Sequence, residues 1–155
     1  VAGALRAARE RGALAISVAN NREAEISAEA DVAIEVVSGP ELVAGSTRLN
    51  AGTAQKLVLN ALSTLAMVQL GKVYGNLMVD VQSTNEKLHA RAERIVMHAT
   101  GATAEVASDA LRDADGSVKV AVGMIAGSAD AAAVRDALAA TGGRLREALS
   151  ALRAD

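Results

Sequence analysis

The sequence predicts an α/β protein in which a partial parallel sheet is followed by an all-helical C-terminal region. Two short apolar runs, residues 14–18 and 32–37, contain β-branched residues and are bounded by turn-forming residues. This is typical of strands buried on both faces of a parallel sheet. A helical pattern precedes the first run, and helical periodicity fills the chain beyond Gly101. Helix, strand, connection and strand, in that order, indicate the end of a parallel α/β sheet.

The first element is an Ala-rich amphipathic helix over residues 1–10, which Gly12 is expected to end as a C-cap. No capping residue precedes this helix. We therefore expect natural sequence upstream of Val1.

A long helix is predicted after the two strands, over residues 47–70, where leucine, valine and alanine form a helical stripe. Ser46 or Thr47 can cap its start, and Gly71 can end it. The next segment, residues 72–80, is expected to be an irregular connection around Gly75 and Asn76.

The region that follows is predicted to be helical, beginning with a charged amphipathic helix over residues 85–99. Its inward positions are expected to be Leu88, Ala92, Ile95 and Val96. We place the boundary between the sheet domain and the helical subdomain between residues 81 and 82, which gives domains of residues 1–81 and 82–155.

The helical tail contains a weak internal repeat with a spacing of 27 residues. Residues 109–111 and 136–138 share the sequence Asp-Ala-Leu, and each copy predicts a helix, a glycine turn and a second helix. The other matched positions are Gly116, Val118, Ala121 and Val122 in one copy and Gly143, Leu145, Ala148 and Leu149 in the other. Stacking of the two copies as a small bundle would bury their apolar faces, although coincidence in an Ala-rich chain explains the same matches.

Composition excludes several classes of function. The 155 residues carry a net charge of −2 and no basic run, so there is no electrostatic case for nucleic acid. The chain has no cysteine, which excludes disulfides, thiolate catalysis and cysteine-ligated metals. No apolar run approaches the roughly 18 residues that span a bilayer, and no signal peptide is visible. We therefore expect a cytoplasmic protein that binds no membrane.

The most informative segment is residues 39–56, because it follows a predicted strand and opens a helix. Ligands of parallel α/β sheets bind beyond the carboxyl ends of strands, and a helix start favours an anion. Gly45 lets the backbone approach a ligand, Ser46 and Thr47 offer hydroxyl groups, and Arg48 offers a fork of donors for phosphate or carboxylate. The alternative is an ordinary capped helix with a surface arginine.

For several other polar residues, the sequence is compatible with both a structural and a functional role. Lys56 could reach back to an anion, or it could be a solvated surface lysine. For Glu41 we prefer a structural role, in which its carboxylate bonds backbone N–H groups, over an acid/base role. His89 and His98 lie in the predicted helix 85–99 without metal-spaced ligands around them, so we expect no metal site.

Two long motifs give the chain a family resemblance. Residues 39–56 closely resemble a segment shared by bacterial N-acetylmuramic acid 6-phosphate etherases and the glucokinase regulatory protein. Residues 71–81, with 85–88 after them, resemble the etherases, and residues 100–143 resemble their C-terminal helical appendage. The resemblance covers nearly the whole chain.

The resemblance implies a sugar-isomerase (SIS) fold, a five-stranded parallel sheet flanked by helices, of which this chain holds the C-terminal part. It implies substrate-binding roles for Gly45, Ser46, Thr47 and Arg48. The family's phosphate loops and its two catalytic glutamates are expected upstream of Val1, so no catalytic residue is assigned here. Asn50 stands where the family usually has lysine, and this difference removes a positive charge near the expected anion site.

The implied reaction is cleavage of the lactyl ether of N-acetylmuramic acid 6-phosphate in peptidoglycan recycling, by elimination of D-lactate and then hydration. The resemblance implies a homodimer and no metal or organic cofactor. A non-catalytic sugar-phosphate sensor similar to the glucokinase regulatory protein is the alternative, and a fragment with only an interaction role is a third possibility.

Overall fold

A computed structural model describes residues 1–81 and 86–154 of the chain. The chain divides into two compact units, residues 1–64 and 65–155. The helices and strands in chain order are α1 (Ala2–Glu10), β1 (Ile16–Ala19), a 3-10 helix (Ser27–Glu29), β2 (Val32–Glu35), α2 (Asn50–Gln69), β3 (Val73–Tyr74), β4 (Leu77–Met78), α3 (Glu86–Thr100), α4 (Ala104–Asp113), α5 (Val118–Gly127), α6 (Ala131–Ala140) and α7 (Leu145–Leu152).

The first unit contains the predicted parallel strand pair. β1 and β2 run parallel, with Ile16 opposite Val32 and Ala19 opposite Glu35. The Asp31 carboxylate accepts a hydrogen bond from the Ala15 N–H group at 2.9 Å and pairs with Arg9 of α1 at 2.9 Å. The predicted α/β class with a partial parallel sheet and a helical C-terminal region is therefore confirmed.

The expectation that both strand faces are buried is wrong. In β1, Ser17 and Ala19 are buried, whereas Ile16 is 38% exposed and the preceding Leu14 is 69% exposed. The strand begins at Ile16, not at residue 14. Successive side chains of a strand point to opposite faces. One face of β1 is therefore packed within the described chain, and the apolar residues of the other face remain open.

Helix α2 begins at Asn50, three residues later than predicted, and neither Ser46 nor Thr47 caps it. The Glu41 carboxylate takes that role, since it accepts hydrogen bonds from the N–H groups of Asn50 and Ala51 at 3.0 and 2.9 Å. A carboxylate nine residues upstream competes successfully with local hydroxyls because it can accept from two N–H groups at once.

The connection at residues 72–80 is more regular than predicted. β3 and β4 form a short antiparallel hairpin, with Val73 opposite Met78 and Tyr74 opposite Leu77. The predicted turn residues, Gly75 and Asn76, join the two strands. Strands of two residues carry too little alternation to be recognised in a sequence.

The second unit has a core formed by helices α3–α7 together with Val79 and Val81. α5 packs against α3, α4, α6 and α7. Its N-terminal half is almost entirely apolar, as a central helix of a bundle requires. In α3, Ala92, Ile95 and Val96 are buried and Leu88 is half-buried, as predicted. The predicted first residue of this helix, Asn85, lies outside the described residues.

The internal repeat is visible in the structure. Each copy is a helix, a glycine turn and a second helix, and the turn glycines Gly116 and Gly143 have nearly equal φ values of +78° and +79°. Such left-handed φ values favour glycine. The matched apolar positions of the second helices are all at most 4% exposed: Val118, Ala121, Val122, Leu145, Ala148 and Leu149.

Candidate functional site

A cleft of about 440 Å³ lies at the carboxyl end of β1 in the first unit. Ligand sites typically have volumes of roughly 300–1,000 Å³. Ligands of parallel sheets bind at this end of the strands, so the cleft is the candidate functional site. It is lined by Val18, Ala19, Asn20, Asn21, Ala24, Glu25, Ile26, Thr47, Ala51 and Gln55.

Asn20 connects three elements at this cleft. Its Nδ2 donates to the Val36 carbonyl oxygen just after β2, at 3.2 Å. Its Oδ1 accepts from Gln55 Nε2 on α2, at 2.9 Å. The side chain that follows β1 therefore ties the end of the sheet to the second turn of the long helix.

Glu35, the last residue of β2, fixes the loop that forms one wall of the cleft. Its carboxylate accepts hydrogen bonds from the Ser27 hydroxyl at 2.6 Å and from the N–H groups of Ala24 and Glu23 at 3.1 and 3.0 Å. These bonds, that of Ser27 first, hold the pKa of Glu35 below its ordinary value. The loop is thus ordered by an ionised carboxylate.

Glu41 fixes the opposite wall by holding the start of α2. Hydrogen bonds from the N–H groups of Ala51 and Asn50 lower the pKa of this carboxyl. Asn50 adds a second link, since its Nδ2 donates to the Pro40 carbonyl oxygen at 2.8 Å. The preferred structural role of Glu41 is confirmed. A further anion at the helix start must use donors other than these two N–H groups.

The four predicted substrate-binding residues lie in the loop before α2, and one of them reaches the cleft. Thr47 lines it. Gly45 has φ +84° with open space on its Cα, and the Ser46 N–H group donates to the Val43 carbonyl oxygen at 3.0 Å. Arg48 is exposed, and it makes no ion pair with any residue that the structure describes.

The residues considered as alternatives lie elsewhere. Lys56 is exposed on α2, and His98 is exposed in the last turn of α3. His89 lines a separate cleft of about 300 Å³ in the second unit, together with Glu93, Ser108, Leu111, Arg112, Asp115 and Gly116. Among residues 1–81 and 86–154, no group of three His, Asp or Glu side chains is placed to hold a metal ion.

Four polar residues of the cleft were not predicted as site residues from the sequence: Asn20, Asn21, Glu25 and Gln55. Asn20 and Asn21 are the turn-forming residues that follow the first apolar run. Polar residues directly after a strand of a parallel sheet lie at the ligand-binding edge, and that rule could have identified them. The contribution of Gln55 could not be found this way, because it depends on how α2 is placed against β1.

No helix in the described part of the chain is long and apolar enough to cross a membrane.

No family model matches the chain. The similar proteins described here are all named as N-acetylmuramic acid 6-phosphate etherases. It is 56% identical over 153 residues to the N-acetylmuramic acid 6-phosphate etherase of Mycolicibacterium smegmatis, covering 97% of this chain and 51% of that protein. The etherase of Streptomyces avermitilis is 54% identical over 96% of this chain and 48% of its own length. That of Shouchella clausii is 59% identical over 79% of this chain and 42% of its own length. The chain thus spans about half the length of the curated relatives it matches.

Proposed function

This chain is related to the C-terminal part of N-acetylmuramic acid 6-phosphate etherases, and we propose that it forms the substrate-binding part of such an enzyme. The proposal rests on the sequence identity of 56% to the Mycolicibacterium smegmatis etherase over 97% of this chain. A partly polar cleft at the ligand-binding edge of the sheet supports it. The proposed reaction yields N-acetylglucosamine 6-phosphate and D-lactate, in peptidoglycan recycling in the cytoplasm.

In this proposal, the catalytic residues belong to the half of the related etherases that this chain does not cover. Elimination of lactate needs a base for the sugar C2 proton and an acid for the leaving oxygen, which two carboxylates can supply. Two acidic residues beside the cleft, Glu35 at the end of β2 and Glu41 in the loop before α2, are committed to backbone N–H groups. We therefore assign no catalytic residue here, and no metal or organic cofactor enters the scheme.

The proposed phosphate contacts are Gly45, Ser46, Thr47 and Arg48. Arg48 is exposed, and its guanidinium can make two parallel charge-assisted hydrogen bonds to a phosphate. Ser46 and Thr47 add hydroxyl donors from the same loop. The residue boundary between a SIS-type part and a helical part, between residues 81 and 82, is kept as part of this proposal.

We further propose that the enzyme is a homodimer. Helix α2 supports this, because it leaves large apolar side chains open, including Leu57, Leu65 and Val68 at 60, 59 and 46% exposure. Sedimentation velocity tests it: a species of twice the chain mass supports the dimer, and a monomer at all concentrations contradicts it.

Calorimetric titration with N-acetylglucosamine 6-phosphate tests the phosphate contacts. Arg48→Ala is expected to weaken binding at least about tenfold, which is what loss of a charge-assisted bidentate contact of about 1.5–3 kcal/mol implies. Ser46→Ala should have a smaller effect. Lys56→Ala is the control, because Lys56 lies nearly two turns into α2, and it should change the affinity less than twofold. Unchanged affinity in a folded Arg48→Ala variant would show that the loop is only a helix entry.

No contact among residues 1–81 and 86–154 favours a non-catalytic sensor similar to the glucokinase regulatory protein, and the relatives compared above carry the etherase name.

A further inference from the structure

We propose that the cleft at the end of β1 binds the uncharged, hydroxyl- and amide-bearing part of an amino sugar, with Gln55 as a specificity-determining contact. The inference rests on the proposed function for the phosphate, which it places outside the cleft, at the loop of residues 45–48. It adds a second subsite of different chemistry beside that loop.

The lining of the cleft is half polar and half apolar, and it carries no cation among the described residues. Its polar side chains are the amides Asn20, Asn21 and Gln55, the Thr47 hydroxyl and the Glu25 carboxylate. A carboxylate disfavours a phosphate nearby and accepts hydrogen bonds from sugar hydroxyls. The remaining lining is small and apolar, namely Val18, Ala19, Ala24, Ile26 and Ala51. Carbohydrate rings, which combine C–H faces with hydroxyl edges, match such a lining.

The hydrogen-bond network determines which groups Gln55 offers to a ligand. A backbone carbonyl only accepts hydrogen bonds, so Asn20 must turn its Nδ2 towards Val36 and its Oδ1 towards Gln55. Gln55 must therefore present its Nε2 to Asn20. The Gln55 Oε1 atom and the second N–H group then face away from this bond.

One acceptor and one donor on the same amide suit a hydroxyl or an acetamide group, each of which both donates and accepts. Asn20 has its Nδ2 and its Oδ1 engaged in these hydrogen bonds. We assign it as a positioning residue that holds the Gln55 amide at the cleft. Loss of either side chain should then remove the same contact.

The two subsites meet at Thr47. This residue lines the cleft, whereas Arg48, the next residue along the chain, does not. A sugar phosphate could therefore place its ring in the cleft and its phosphate near Arg48, with Thr47 between the two subsites. A neutral amino sugar and free phosphate should therefore perturb different residues.

Amide chemical shifts of the 155-residue chain, followed during titration with three probes, test the separation. N-acetylglucosamine is expected to shift residues 19–26 and 51–55, and inorganic phosphate residues 45–48. N-acetylglucosamine 6-phosphate should shift both sets. If N-acetylglucosamine leaves residues 19–26 and 51–55 unchanged while the sugar phosphate shifts only 45–48, the cleft inference fails and the proposed function stands. If phosphate and the sugar phosphate leave 45–48 unchanged, the proposed phosphate loop fails instead.

Variants assign the contact to Gln55. Gln55→Ala should weaken N-acetylglucosamine binding about three- to tenfold, as expected for one neutral hydrogen bond, and leave the affinity for inorganic phosphate unchanged. Asn60→Ala is the matched control, since Asn60 is an exposed amide on the same helix outside the cleft, and it should change neither.

Asn20→Ala tests the positioning role through a double-mutant cycle. In a positioning role, Asn20→Ala weakens N-acetylglucosamine binding, and adding it to Gln55→Ala causes no further loss. Additive losses would make Asn20 an independent contact. A Gln55→Ala variant that binds N-acetylglucosamine as tightly as the original chain would overturn the inference, with helical circular dichroism confirming the fold of every variant.

Discussion

At the scale of single residues, two glutamates, one at the end of β2 and one in the loop before α2, order the candidate site by accepting hydrogen bonds from backbone N–H groups. Glu35 orders the loop that contains Ala24 and Ser27, and Glu41 orders the start of α2. The role of Glu41 could be predicted from the sequence, because a carboxylate just before a helix has free N–H groups within reach. That of Glu35 could not, because its partners lie on a loop 8–12 residues away whose path no local pattern specifies.

Lowering the pH should weaken the hydrogen bonds between the Glu41 carboxylate and the start of α2. The pKa of Glu41 is lowered in the folded chain by the N–H groups of Ala51 and Asn50, so its contribution to stability is present above the unfolded pKa. That contribution is lost as the pH falls through the folded value. Glu41→Gln is therefore expected to lower the Tm at neutral pH, and the difference from the original chain should shrink as the pH falls below the ordinary range of a glutamate carboxyl.

Thermal unfolding from neutral pH to about pH 3 measures this difference. A Tm gap that stays constant across the whole range would show that the Glu41 charge does not stabilise the helix start.

Asn50→Lys probes the departure from the family pattern. In this chain Asn50 Nδ2 donates to the Pro40 carbonyl oxygen, so the substitution removes one hydrogen bond and adds a positive charge beside the proposed phosphate loop. Affinity for N-acetylglucosamine 6-phosphate is expected to be equal or higher, and any gain should shrink as salt is raised. Calorimetric titration at low and high salt checks this, and a lower affinity at both would argue against an anion near residues 45–48.

At the scale of elements, helices with long amphipathic patterns were predicted more accurately than helix ends and short strands. α3 and the repeat helices α4–α7 lie where periodicity placed them, because several turns of apolar spacing accumulate into one buried face. The start of α2 and the hairpin β3–β4 differ from the predictions. The first depends on the Glu41 carboxylate, and the second on pairing between strands of only two residues.

Close contact between α5 and α6 depends on the missing side chain of Gly123. A Cβ at this position would overlap a methyl group of Val134, which is fully buried. Gly123→Ala is expected to destabilise the second unit by about 1–3 kcal/mol, the usual cost of overpacking. Gly3→Ala is the control, because Gly3 lies within α1 with open space around it, and it should be neutral or stabilise by up to about 1 kcal/mol.

Urea unfolding monitored by helical circular dichroism compares the two variants. Equal stability of Gly123→Ala and the original chain would mean that the α5–α6 contact has room for a methyl group.

At the scale of the whole molecule, the two units differ in how completely they bury their apolar residues. The second unit has a continuous core, whereas the first unit leaves Val32 of β2 and the flanking residues Leu14 and Val37 at 44, 69 and 57% exposure. Class and chain order followed from the sequence, because runs and periodicities are local. The burial of the strand faces could not be predicted from the sequence, because it depends on which segments pack against them.

We propose that this chain supplies substrate binding, while the catalytic carboxylates belong to the part of the relatives that it does not match. A chimera tests it, in which the unmatched part of the Mycolicibacterium smegmatis etherase precedes residues 1–155. The measurement is release of D-lactate from N-acetylmuramic acid 6-phosphate by the chimera, by its Arg48→Ala variant and by the 155-residue chain alone. Removal of a catalytic acid or base typically costs about 10²–10⁴ in rate. We expect no detectable release by the chain alone, turnover by the chimera, and a raised KM in the Arg48→Ala variant. Clear turnover by the chain alone, or a folded chimera that releases no lactate, would contradict it.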